Sequence, residues 1–244
     1  MSGSYLDFDL GNTSIKYQGY GLLVGLSGVI ENDQIHKVEN LFLDAGSSCA
    51  FTVRLAAVGA EQNVETVVGF LTKHQIPWIR ITTEMLIDKI AAAYEEISSL
   101  GVDRMLNMVA VSHMYLSGQY IIASVGTALT IDIMSANVHS GGYILQSPDS
   151  QLRSFTKVAS LPVLELSGFK SLDPGKSTDA CMRSGALLSA VGAIEYVSNK
   201  YSDYKVILTG GAAKEISVHL SVAHEVVENL VLKGLSFVTR GAAG

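Results

Sequence analysis

Four short stretches of this chain carry residues that could manage phosphate groups and a proton. The first is Asp9-Leu10-Gly11-Asn12-Thr13-Ser14-Ile15-Lys16, an apolar strand that ends in a carboxylate and turns on Gly-Asn-Thr. A tight turn of glycine and small polar residues can aim backbone N–H groups at phosphate oxygens. Asp9 could hold Mg²⁺ directly or through water, because that ion takes one or two carboxylates and completes its shell with phosphates. Lys16, on the returning strand, could neutralise charge. Taken alone, these residues also read as an ordinary hairpin with an exposed acid. The second stretch, Gly126-Thr127-Ala128-Leu129-Thr130-Ile131-Asp132, is another Gly/Thr hairpin and would make the opposite jaw of a phosphate clamp. Two such hairpins, each opening one half of the chain, favour nucleotide binding over the ordinary turn. The third, Leu208-Thr209-Gly210-Gly211, is a buried strand ending in paired glycines. It is either a glycine-capped turn or a place where a flat adenosine approaches the backbone.

The fourth stretch is Gly101-Val102-Asp103-Arg104, at the mouth of an otherwise apolar helix, with Tyr94 a few residues upstream. A carboxylate there can be a helix-terminal acid, favoured by the backbone dipoles. Adjacent Asp and Arg can equally supply a base and an anion anchor for an alcohol substrate. Pro174-Gly175-Lys176-Ser177-Thr178 ends like a P-loop but lacks its first glycine, since Lys170 stands there, and residues 167–173 are too polar and broken for the strand that loop requires. Ser177 or Thr178 reads instead as the N-cap of a long helix. The six histidines and two cysteines, Cys49 and Cys181, show no metal-ligand spacing.

These stretches need elements to hold them. Residues 5–10, 14–20, 22–30 and 51–58 read as strands, 61–74 as a helix, 79–82 as a strand and 85–99 as an amphipathic helix. The 105–131 run lacks charge but contains Asn107, His113, Gln119 and a grain change at Ser117-Gly118, so it reads as a helix, a turn and a buried strand rather than a membrane span. The pattern then restarts with strands at 120–125, 129–134 and 138–145, helices near 148–158 and 178–200, a strand at 205–208 and two short helices. A strand–turn–strand–strand order appears twice, which predicts duplicated halves, residues 1–115 and 116–244, each a mixed sheet flanked by helices. A single α/β domain is the alternative.

The composition narrows the partners. A net charge of −6 and an isoelectric point near 5.5 argue against nucleic acid, which wants a basic face. Charged residues make up 16% of the chain and the mean hydropathy is +0.31, an apolar balance that predicts burial of surface in an oligomer. Asp7 and Asp9 come early, with no basic flank before them, so no secretory signal is read; with two cysteines and no disulfide framework, a cytoplasmic protein is expected.

In this order the motifs resemble those of the type III pantothenate kinases, members of the sugar-kinase, actin and heat-shock chaperone superfamily. The family's Asp-x-Gly-Asn-Thr is Asp9 to Thr13, its Gly-x-Asp-Arg is Gly101 to Arg104 and its substrate tyrosine is Tyr94. Its second phosphate motif runs from Gly126 to Asp132, Gly-Gly-x-Ile is Gly141 to Ile144, and Thr-Gly-Gly is Thr209 to Gly211. Its threonine seven residues before a Ser-Gly glycine is Thr178 before Gly185. The resemblance implies two duplicated ribonuclease-H-like (actin-like ATPase) domains and ATP-dependent phosphorylation of pantothenate, with Mg²⁺, at the start of coenzyme A synthesis. It implies Asp103 as base, Tyr94, Gly101, Val102, Arg104 and Thr178 around the substrate, and a homodimer with Thr178 reaching the partner's substrate. Two positions depart from the family. The aspartate of a site for K⁺ or NH₄⁺ is Ser124 here, and a Pro-Gly pair is Gln146-Ser147. Other readings of the same fold are a nucleotide-dependent accessory transcriptional regulator, which has no need of a base, and a kinase for another small hydroxylated substrate.

Overall fold

The computed structural model describes residues 3–58, 61–115, 118–155 and 171–238. It contains two compact units, one built from the chain up to Met114 together with the helix Leu230–Val238, the other from Tyr115–Asn229. The sequence divides evenly at 115/116, a point bordering residue 116, which lies outside the described residues. The structure differs at the other end, where the last helix belongs with the first unit.

In the first unit, Ser4–Leu10 (β1), Ser14–Tyr20 (β2) and Ser27–Glu31 (β3) form an antiparallel meander. Phe51–Ala57 (β4) and Trp78–Arg80 (β5) extend it in parallel, in the order β3-β2-β1-β4-β5. Lys37–Ser48 (α1) and Glu61–Lys73 (α2) make the crossovers that parallel pairing demands. Val102–Tyr115 (α3) follows. The second unit repeats the plan. Gln119–Val125 (β6), Ala128–Ser135 (β7) and Val138–Gln146 (β8) form the meander, and Lys205–Thr209 (β9) and His224–Val226 (β10) add in parallel beyond β6. Pro148–Phe155 (α4), Thr178–Lys200 (α5) and Ala213–Ser217 (α6) complete it, and Leu230–Val238 is α7. The expected pair of duplicated mixed sheets is therefore present, with a short strand, β10, that the sequence did not suggest. No helix among the described residues is long and apolar enough to cross a membrane.

Strand alternation decides what each face does. Leu6, Phe8 and Leu10 of β1 enter a core with Phe42, Val53, Leu55, Val64 and Leu71. Tyr5, Asp7 and Asp9 fall on the opposite face. Asp7 sits directly opposite Arg54 in the β1–β4 register and is bound by it at 2.5 and 2.7 Å, with both residues buried. The guanidinium is also stacked on Tyr5 at 4.4 Å. Helix α7 packs on this unit, where Tyr20 donates to the Leu232 carbonyl at 3.3 Å and Gly234 has its Cα against the backbone of Leu106.

Two expectations need correction. The strand expected over 22–30 begins only at Ser27. Gly21, at φ +70°, opens a single helical turn over Gly21–Leu23, and Gly25, at φ +96°, turns the chain again before β3. The helix expected over 85–99 does not form, and single turns stand at Thr83–Leu86 and Ile97–Ser99 instead. Between Ile90 and Leu100 no residue is buried. Without an apolar stripe docked on a core, helix propensity alone does not hold so short a helix. The helix expected to reach 158 is seen to Phe155, and 156–158 lie outside the described residues.

Removing Arg54 would leave Asp7 as an uncompensated buried carboxyl. Arg54→Ala should lower stability by about 3–5 kcal/mol, measured by urea unfolding. A loss within 1 kcal/mol would show that the pair contributes nothing to holding β1 against β4.

Candidate active site

The first turn is where β1 meets β2. Asp9 lies opposite Lys16 across the strand pair, and the hairpin closes by the Gly11 N–H donating to the Ser14 carbonyl at 3.1 Å. Burial pushes the Asp9 carboxyl up to about 6; Lys16 works against this shift and the charge of Asp103 adds to it. Two acidic groups of the first unit therefore sense each other, although more than ninety residues separate them in sequence. Among the described residues, no group of three or more His, Cys, Asp or Glu side chains could cage a metal. One or two carboxylates suit Mg²⁺ that takes its remaining ligands from water and phosphate, and this donor set fits that ion.

Asp103 is the second residue of α3 and lies in its first turn. A Cβ added at Gly101 would lie 2.5 Å from Asp103 Oδ1, so the carboxylate folds back over Gly101. Arg104 is buried and donates to the Tyr94 hydroxyl at 2.7 Å, with its guanidinium 5.5 Å from the ring centre. The loop that replaces the expected helix is what delivers Tyr94 to this arginine. Asp9, Lys16, Gly101, Asp103, Arg104 and Tyr94 all lie in the first unit.

In the second unit, β6 pairs with β7 on one side and β9 on the other. That places the Gly126-Thr127 turn and the Gly210-Gly211 turn at the same end of one sheet. Gly126 closes its hairpin on the Ala128 carbonyl at 2.9 Å. Gly210 has φ +97°, and a side chain there would collide with the Val125 backbone, so this glycine is dictated by close approach to β6. Gly211 meets open space. Ser124 lies between Thr130 and Thr209 in the register and brings a hydroxyl but no charge. Asp132, which ends the second motif, is buried with His139 Nε2 3.0 Å from Oδ1. Thr178 is exposed at the start of α5, and Ser177 is the N-cap, accepting from the Ala180 N–H at 3.2 Å.

Sequence reasoning did not single out the Asp7–Arg54 pair, the Asp132–His139 pair or Asn32, and it noted Ser147 only as a departure. Aligning the two halves on their expected third strands, which end at 30 and 145, would have pointed to within one residue of Asn32 and Ser147, which follow the observed strands. The buried pairs left no local signal, because their partners meet only through strand register.

Duplicated five-stranded mixed sheets with glycine turns at their strand ends define the actin-like ATPase fold. A family model described as type III pantothenate kinase matches residues 5–200. A type III pantothenate kinase of Acinetobacter baumannii (strain ACICU) is 30% identical over 244 aligned residues, covering 93% of each chain. The chain belongs to the type III pantothenate kinase family. Among solved structures, a Campylobacter jejuni protein assigned to the Baf family of transcriptional activators is similar, with a TM-score of 0.61, 19% identity and coverage of 96% and 97% of the two chains. MreB 5 of Spiroplasma citri bound to AMPPNP follows at a TM-score of 0.50 and 10% identity, with 98% and 97% covered. These two likenesses bear on the fold alone.

Asp9 leads to a prediction of sign. In the unfolded chain its carboxyl ionises near 3.8, whereas in the folded protein it keeps its proton up to about 6. Between about pH 4 and pH 6 the folded state binds more protons, so Asp9 makes the ligand-free protein less stable as pH rises through that window, with no further change above it. At pH 7, Asp9→Asn should therefore stabilise the ligand-free protein, by on the order of 1–3 kcal/mol, and the gain should vanish below about pH 4. Denaturant unfolding at pH 3.5, 5 and 7 checks this; equal stability at pH 7 rejects a burial penalty on Asp9.

Proposed function

We propose that this kinase transfers the γ-phosphoryl group of ATP to the primary hydroxyl of pantothenate, giving 4'-phosphopantothenate. The observation that carries the reading is the first unit's arrangement of Asp9 and Asp103 with Arg104 bound to Tyr94. Family membership supports pantothenate as the substrate.

Phosphoryl transfer needs placement and charge neutralisation more than covalent help from the protein. In the first unit the Asn12 and Thr13 N–H groups, in the turn that Gly11 closes on Ser14, would receive phosphate, and in the second unit the turn of Gly126 and Thr127, which Gly126 closes on Ala128, would do the same. Leu10, Ser14 and Ile15 hold the first turn in its strands, and Gly210 and Gly211 would take the adenosine. Asp9 would hold Mg²⁺, whose charge, when the ion is bound, offsets that of the phosphates. Lys16 would add a fixed positive charge. Arg104 and Tyr94 would orient pantothenate, with Gly101 and Val102 shaping the wall.

Asp103 Oδ then takes the proton of the substrate hydroxyl as its oxygen bonds to the γ-phosphorus and the bond to ADP breaks. The carboxylate suits this task because it is folded over Gly101 rather than spread into solvent. Arg104, one residue on, is already engaged with Tyr94.

A homodimer belongs to the same proposal. In the second unit Tyr143 and Ile144 of β8 and Leu188 and Tyr196 of α5 are exposed apolar side chains, and a cleft of about 390 Å³ lies between the two elements. A second copy covering this face would remove it from water and bring Thr178 toward the partner's substrate. Sedimentation at micromolar concentration should give a dimer, and Tyr196→Glu a monomer. A monomeric wild type would end the role across subunits proposed for Thr178.

The base has its own test. Asparagine has nearly the size of aspartate and keeps the local fold, but it cannot accept the proton, and general-base catalysis contributes about 10²–10⁴-fold. Asp103→Asn should lose about that much in kcat with pantothenate, while the melting temperature and MgATP affinity stay near wild type. Nearly full activity, or a large fall in melting temperature, would show that Asp103 serves the helix and not the reaction.

A further inference from the structure

The same contact recurs at the same topological position in both units. In the first, Asn32 comes directly after β3, the third strand of the meander. Its side-chain amide donates to the Gly11 carbonyl at 3.2 Å and to the Asn12 carbonyl at 2.9 Å. Its backbone N–H donates to the Thr13 carbonyl at 3.1 Å. In the second unit Ser147 comes directly after β8, again the third strand. Its hydroxyl donates to the Thr127 carbonyl at 2.9 Å, and the Ser150 hydroxyl donates to the same oxygen at 2.6 Å. Ser147 also caps α4, accepting from the Ser150 N–H at 3.2 Å.

These contacts fix the direction of the peptide planes in both turns. In a trans peptide the C=O and the following N–H point opposite ways, and the described chain has no cis bond. Drawing the Gly11 and Asn12 carbonyls toward Asn32 turns the Asn12 and Thr13 N–H groups to the far side of the turn. Holding the Thr127 carbonyl does the same for the Ala128 N–H. Successive N–H groups directed one way make an anion cradle. The Asn32 Oδ1 atom is shielded from solvent and has no hydrogen-bond partner among the described residues. An unsatisfied acceptor is a cost, so this side chain is kept for its two donors.

We propose that Asn32 and Ser147 are positioning residues for phosphate binding, each setting its own unit's turn from the end of the third strand. Neither touches the phosphates; each acts through the carbonyls it holds. The proposal rests on the nucleotide reading given above. It also gives the Gln146-Ser147 departure a role, because a glycine at 147 would bring no hydroxyl to Thr127.

The test uses the full chain, with MgATP binding measured by calorimetry and steady-state kinetics in both substrates. Asn32→Ala and Ser147→Ala should each weaken MgATP binding and raise the KM for ATP by about tenfold, the effect of about one lost net hydrogen bond. The KM for pantothenate and the melting temperature should stay near wild type. Ser147→Thr, which keeps a hydroxyl, should retain wild-type ATP affinity. Binding within twofold of wild type in both alanine variants overturns the proposal. A melting temperature far below wild type, with ATP and pantothenate affected alike, also overturns it, in favour of a purely structural brace. Failure of the wild-type protein to bind MgATP would instead overturn the nucleotide reading and this proposal with it.

Discussion

The buried pair between Asp7 and Arg54 is the contact on which the first unit's geometry depends. The two residues stand directly opposite each other in parallel strands, so a one-residue slip of either strand would separate them and leave two buried charges unpaired. Register fixed at Asp7 is register fixed at Asp9, two residues along on the same face. The strand that brings Leu6, Phe8 and Leu10 to the core therefore also brings a carboxylate to the end of the sheet beside a glycine turn. Stability and placement of the acid follow from one set of backbone hydrogen bonds.

Burial acts on these carboxylates in two ways. It raises both Asp7 and Asp9 to about 6. For Asp7, the facing guanidinium offsets part of that cost. For Asp9, only Lys16 opposes it, and Asp103 adds to it. A partly uncompensated acid at a strand end is poor design for a scaffold and reasonable for a site completed by a cation and its phosphates.

The second unit shows how little chemistry the duplicated scaffold itself imposes. Its sheet has the same order and the same hairpin, yet its buried acid, Asp132, lies with His139. The glycine at 210 is fixed by its approach to β6, and Thr127 is held from α4. One topology thus carries a carboxylate-bearing turn in one unit and a turn of glycine and hydroxyl groups in the other.

The sequence by itself determined the duplicated strand–turn–strand–strand plan, because period-two apolar patterns and Gly-Asn-Thr and Gly-Thr-Ala turns are local and each half carries its own copy. It also offered Asp9, Gly101 to Arg104, Gly126 and Gly210 as candidates for phosphate and proton chemistry, because that chemistry restricts which side chains can serve. It did not determine that residues 85–99 would stay out of a helix. Their composition favours one, and only the absence of a docked apolar face past Ile90 decides otherwise. Nor did it reveal the Asp7–Arg54 and Asp132–His139 pairs or the hold of Asn32 on Gly11 and Asn12, each made by residues brought together through strand register or chain return. Those contacts belong to the tertiary structure because hydrogen bonds and buried charges are satisfied by whatever lies within about 3 Å in space, and sequence separation carries no information about that distance.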